Sequence, residues 1–199
     1  MDDVTAFILA GGKSLRMGVD KAFVELKGRT LLQRALDTVK ALTPEAIIVG
    51  ERSKFAQFGT VVEDVFRDRG PLGGIHAALA ATATELNLIL AVDLPFVDCN
   101  LLTYLLKQAG ASEAIVTVPR SADGWQPLCG VYRRAFGRVA ERALLQGKNK
   151  IDPLFMEVET KPVEQAELEA QGFSAAIFRN LNTPQELEQA KRQRSQTLK

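Results

Sequence analysis

Short apolar runs alternate with amphipathic stretches along the whole chain. Val4–Leu9 is the first run, too uniformly apolar for a half-exposed strand, and reads as a strand buried on both faces. Residues 46–49, 60–63 and 88–92 predict a second, third and fourth strand. Between them the apolar positions take helical spacing. Leu31, Leu32, Ala35, Leu36, Val39 and Leu42 form one stripe, opened by a Thr30/Gln33 capping box and stopped at Thr43-Pro44. Ile75, Ala78 and Leu79 face inward on a helix that follows a glycine-rich turn. Asp98 caps the helix carrying Leu101, Leu102, Leu105 and Leu106. Residues 22–26 are expected to be extended, ending at Lys27-Gly28. Residues 114–118 and 128–132 predict two strands around a loop at 119–127. Phe136, Val139, Ala140, Ala143 and Leu144 form the next helical stripe. Residues 157–163 are expected to be extended, and residues 175–178 to form a last short strand. Thr183 caps a final helix with Pro184 at its first position and Glu186 closing the box.

This alternation predicts an α/β fold of three layers, a mostly parallel mixed sheet between helices. The 199 residues suggest a single domain over residues 1–191, with a polar tail at 192–199. With 25 basic and 24 acidic residues the formal net charge is +1, so no broad field is available to attract nucleic acid or an acidic membrane. No apolar run approaches the ~20 residues that span a bilayer. Met1-Asp2-Asp3 has no positive leader, and a cytoplasmic protein is expected. Cys99 and Cys129 are isolated and His76 is the single histidine, which argues against a zinc site and a Ser–His or Cys–His nucleophile. All three read as structural residues, with both cysteines reduced.

Chemistry concentrates in residues 9–21, Leu-Ala-Gly-Gly-Lys-Ser-Leu-Arg-Met-Gly-Val-Asp-Lys. Glycines let backbone N–H groups close on an anion, Arg16 offers a planar fork to phosphate oxygens, and Lys21 offers a point charge. The stretch reads as a polyphosphate-binding loop at a strand end. It is not a P-loop, because Phe7 stands where the first glycine is required. It is not a dinucleotide fingerprint, because its glycines fall at 11, 12 and 18. A second candidate is Asp93, which leaves the fourth apolar run, where a carboxylate is costly unless paired or bound to a cation. Asp64, at the end of the third strand, reads equally as a ligand contact or a turn residue.

The stretch resembles the signature of the molybdenum cofactor guanylyltransferases, with nine fixed residues in register. The resemblance covers most of the chain and implies a Rossmann-like nucleotidyltransferase fold. It implies transfer of GMP from GTP to the terminal phosphate of molybdopterin with release of pyrophosphate. Asp93-Leu94-Pro95 matches the family's Asp-x-Pro, whose aspartate holds Mg²⁺. Gly70-Pro71-Leu72-Gly73-Gly74 matches its Gly-Pro-Leu-x-Gly turn, and Asn180 and Asn182 match its Asn-x-Asn-Thr-Pro motif. By that resemblance Arg16, Lys21 and Asp93 are the catalytic residues. The nucleotide is bound by Leu9, Ala10, Gly11, Gly12, Lys21, Asp64, Gly70, Gly74, Asp93, Asn180 and Asn182. GTP and molybdopterin are the implied substrates, molybdenum-insertion or acceptor enzymes the implied protein partners, and a monomer is expected. One departure stands out: Gly50 follows the second strand where the family often has an Asn that touches the nucleotide. Two alternatives stay open, a CTP-dependent cytidylyltransferase acting on molybdopterin or an alcohol, and a non-catalytic nucleotide or pterin carrier. Trp125, in the loop before Pro127-Leu128, reads either as a stacking surface for a flat acceptor or as a residue folded onto the core.

Overall fold

A computed structural model of the chain describes residues 4–11, 20–44, 46–181 and 184–192. Gly12, Arg16, Asn182 and the Thr183 cap lie outside the described residues. The apolar runs become strands of one sheet. At its centre β1 (Val4–Leu9) pairs in parallel with β4 (Ala46–Val49) on one side and with β6 (Leu86–Ala91) on the other. Beyond β4 lies the short parallel strand β5 (Val61–Val62). Beyond β6 lies β9 (Cys129–Arg133), antiparallel to its neighbours, then β7 (Val116–Ser121) and β10 (Thr160–Glu164). β8 (Gly124–Trp125) folds back on the end of β7, completing an eight-stranded sheet among the described residues.

The period of two along each strand divides the core. Ala6, Ile8, Ile48, Leu88 and Leu90 point to one face, where α1 (Leu31–Lys40) and α4 (Cys99–Gly110) pack with Leu32, Leu36, Leu101 and Leu105. Phe7, Leu9, Val49 and Ile89 point to the other, covered by α3 (Pro71–Ala81) and α5 (Phe136–Leu145). Both faces of the central strands are therefore dry, which is why their sequences carry no polar alternation. Thr30 and Gln33 make the predicted capping box on α1, and Asp98 accepts from Leu101 N–H to cap α4.

Three short segments differ from the sequence reading. Residues 22–26 are not one extended piece. Lys21–Phe23 is a 3-10 turn, followed by a hairpin of β2 (Glu25–Leu26) and β3 (Arg29–Thr30). Lys27 and Gly28 both take positive φ, 56° and 76°, as a tight two-residue hairpin turn demands. The segment Ala175–Phe178 is a 3-10 turn rather than a strand. Ser174 accepts from Ala176 N–H and caps it, and Phe178 is the buried residue of the four, so no alternating face exists to join a sheet. The loop expected at 119–127 is largely ordered, because β7 runs on to Ser121 and β8 pairs with it. The sequence reading also left α2 (Arg52–Phe55) and α6 (Gln165–Ala170) unassigned; α7 is Pro184–Arg192. Sheet edges are guarded: β5 has two residues, and β10 carries Lys161 and Pro162. No described helix is long and apolar enough to cross a membrane.

Gly50 owes its identity to packing. A Cβ there would stand 2.7 Å from the ring of Phe55, which is 1% exposed and stacks on Phe23 at 5.7 Å. Gly50→Ala should therefore destabilise the fold by about 1–3 kcal/mol through overpacking, measured by urea denaturation. Unchanged stability would mean that the Phe55 ring moves aside freely.

Candidate active site

The chain steps outward from β1 through β4 to β5, then returns to the other side of β1 as β6. Strand order thus reverses between β1 and β6, and ligands in open α/β sheets bind outside the carboxyl ends at such a point. Leu9 stands opposite Ala91, and Val92 N–H donates to Leu9 O at 3.1 Å, so the two strands stay locked to their last residues. The loops that leave them carry Lys21 and Asp93. Lys21 Nζ donates to Asp93 Oδ2 at 3.0 Å, with side chains 25% and 21% exposed. This contact, across 72 residues of sequence, answers the cost of a carboxylate at an apolar strand end.

The segment near the C-terminus docks onto the same loop. Leu181 is buried and its N–H donates to Asp93 O at 3.2 Å, while the Arg179 guanidinium lies 5.0 Å from the Phe96 ring centre. Asn180, exposed, is thereby brought beside Asp93. At the end of β1 the Ala10 and Gly11 N–H groups both donate to Val49 O, at 3.0 and 3.2 Å, and so tie the start of the glycine stretch to β4.

Asp64 follows β5. Its Oδ1 accepts from Phe66 N–H at 2.8 Å, the Asx-type turn that was one of its two readings. Its other oxygen rests against Gly73, where a Cβ would collide with it. Burial raises its pKa above the ordinary carboxylate value, opposed by the Phe66 N–H bond and by the nearby His76. His76 is a buried residue of α3, its ring edge-on to Phe66 at 5.0 Å. Gly70 takes φ 66°, ψ −161°, outside the reach of other residues, and is open to solvent. Gly74 instead faces Leu9 and Val49, where a Cβ would make ordinary van der Waals contact with Leu9 at 3.5 Å.

Other candidates fall to structural roles. Cys129 is fully buried, and burial pushes its thiol up to about 12. Cys99 is free and partly exposed at the start of α4. Trp125 is edge-on to Phe155 at 5.1 Å and lies under the Arg120 guanidinium at 5.1 Å, partly buried against the α3/α5 core. That is the core-packing arrangement. Among the described residues, no three His, Cys, Asp or Glu side chains converge on one point. Sequence reasoning did not find the contribution of α2. Lys54 donates to Asp20 at 3.3 Å, and nothing in the string 51–55 announces a partner in the signature loop.

A sheet of this topology, with paired lysine and aspartate at its switch point, defines an α/β protein of the nucleotide-binding type. Residues 6–161 match the MobA-like NTP transferase domain, and the chain belongs to that family. It is 37% identical to a molybdenum cofactor guanylyltransferase of Desulfosudis oleivorans, over 96% of this chain and 95% of that protein. It is 35% identical to a probable molybdenum cofactor guanylyltransferase of Pelotomaculum thermopropionicum, over 96% and 93%. Among solved structures it resembles molybdopterin-guanine dinucleotide biosynthesis protein A from Archaeoglobus fulgidus, with a TM-score of 0.83, 26% identity, and coverage of 97% of this chain and 100% of that one.

Asp64 yields a prediction with a definite sign. A carboxyl whose folded pKa is raised makes the native state bind protons more readily than the unfolded chain. Its ionised form then costs stability above that window, and the cost vanishes as the pH falls below it. Asp64→Asn keeps an acceptor for Phe66 N–H and should melt at or above the wild-type temperature at neutral pH. The difference should shrink through the acid range. A neutral-pH melting temperature clearly below wild type would show that the ionised carboxylate is stabilising.

Proposed function

We propose that this chain transfers a GMP unit from GTP to the terminal phosphate of molybdopterin, releasing pyrophosphate. The observation that carries the reading is the Lys21–Asp93 pair at the β1/β6 switch point of a MobA-like chain. The relatives' names supply the nucleotide and the acceptor. Asp93 fits a magnesium ion: it offers one hard carboxylate at a partly open strand end, and magnesium commonly takes one or two carboxylates beside substrate phosphate oxygens. Bound there, the ion would supply Lewis-acid charge to substrate phosphate.

The chain's own groups do the rest by placement and charge. Lys21 turns from Asp93 to the triphosphate, and Arg16 joins it, so both offset the charge that gathers on the leaving pyrophosphate. An acceptor phosphate oxygen attacks the α-phosphorus as the bond to the β-phosphate oxygen breaks. That acceptor is already ionised at neutral pH, its second pKa being about 6, so no general base is required. This accords with a single histidine that is buried in α3. By the family resemblance Asp64, Gly70 and Gly74 border the nucleotide, Leu9 to Gly12 contact it, and Asn180 and Asn182 belong to the same binding site. The working unit in this reading is a cytoplasmic monomer whose one domain spans residues 1–191, handing its product to molybdenum enzymes or receiving its pterin from insertion proteins.

The direct test is incubation of the protein with molybdopterin, Mg²⁺ and each nucleoside triphosphate in turn, with mass detection of the product. A GMP adduct and pyrophosphate with GTP are expected. A CMP adduct would show the cytidylyl alternative, and binding without pyrophosphate a carrier. Lys21→Ala should weaken GTP binding and lower turnover, and because it takes this partner from the mostly buried Asp93 carboxylate the melting temperature should fall modestly. Asp93→Asn should lower turnover by about 10²-fold or more and shift the Mg²⁺ dependence. Wild-type turnover in either variant removes that residue from the mechanism.

A further inference from the structure

The 3-10 turn that presents Lys21 is held from outside the signature loop. Asp20 divides its carboxylate: Oδ1 accepts from Ala22 N–H at 3.1 Å, capping the turn, and Oδ2 accepts from Lys54 Nζ at 3.3 Å. Lys54 also lies 3.1 Å from Glu51 Oε2, so its ammonium is fixed between one carboxylate at the N-cap of its helix and one at the turn. The next residue, Phe55, reaches the other end of the turn. Its ring stacks on Phe23 at 5.7 Å with an interplanar angle of 28°, and Phe58 adds a second contact to Phe23 at 5.9 Å. Phe55 can sit there because Gly50 has no side chain. Two successive residues of α2 therefore grip the turn before and after Lys21, one by charge and one by packing. The departure at Gly50 makes room for this grip.

We propose that Lys54 is a positioning residue for Lys21, acting through Asp20 to aim the phosphate-binding lysine at the mouth between β1 and β6. The inference rests on the reading that Lys21 holds the nucleotide's phosphates. Lys54 is 46% exposed and outside the Lys21–Asp93 contact, so its removal leaves the core intact. Lys54 also carries a charge that would attract any anion, and the test must separate aim from attraction.

A double-mutant cycle does this, with isothermal titration of a non-hydrolysable GTP analogue and Mg²⁺ as the readout. Lys54→Met should weaken binding by about tenfold with an unchanged melting temperature, since misplacing a binding group by an ångström is costly. Lys54→Arg, which keeps charge and reach, should stay within about threefold of wild type. In a Lys21→Ala background, Lys54→Met should change affinity by less than about twofold, because there is no longer a lysine to aim. An equal loss in both backgrounds would reduce Lys54 to general electrostatics and overturn the proposal. So would wild-type affinity in Lys54→Met. A wild-type protein that binds no GTP analogue at all would instead refute the guanylyl-transfer reading, and the inference with it.

Discussion

The parallel pairing of β1 with β6, sealed on both faces by helices, is the constraint on which the carboxyl edge of the molecule depends. Backbone hydrogen bonds carry the register to the ends of both strands, as far as Val92 N–H on Leu9 O. A one-residue slip would exchange the two core faces, so the register has no cheap alternative. With the strand ends fixed, the loops beyond them start side by side. Lys21 and Asp93 then meet at 3.0 Å. The pair also settles a local electrostatic problem, since Asp93 leaves a dry strand into partly buried surroundings.

Around that edge, close approach matters more than side-chain bulk. Gly73 yields its place to Asp64, and Gly50 yields its place to Phe55. Each is a position where a methyl group would have to displace a neighbour or crowd it. The arrangement puts the end of β4, the start of α3 and the signature turn within one packed unit. Polar groups do the remaining fastening. Asp20 joins the turn to α2, and Asp93 O takes Leu181 N–H, tying the far end of the chain to the centre of the sheet.

The proposed chemistry suits what the molecule has and does without what it lacks. A chain of net charge +1 with one buried histidine and a fully buried Cys129 has few groups for proton transfer or covalent catalysis. Phosphoryl-type transfer to an ionised phosphate needs little of either. It needs positive charge and a carboxylate close together, and the β1/β6 edge holds one such pair, Lys21 and Asp93.

The sequence by itself determined the alternation of strands and helices, the caps of α1 and α4, and the emergence of Asp93 from a buried strand. These follow from periodicity and from side chains that bond within four residues of themselves. The signature at residues 9–21 also carried the resemblance to the family the chain belongs to. Only the tertiary structure decided the short elements. Residues 175–178 are a four-residue apolar run, too short for its periodicity to choose between turn and strand, and a serine cap with one buried phenylalanine made the choice. Trp125 took its place from Phe155 and Arg120, which lie elsewhere in the chain or across a hairpin. The N–H groups of Ala10 and Gly11 turned to Val49, and Lys54 to Asp20. None of these could be read locally, because each depends on which distant group the fold delivers to hydrogen-bonding or packing distance.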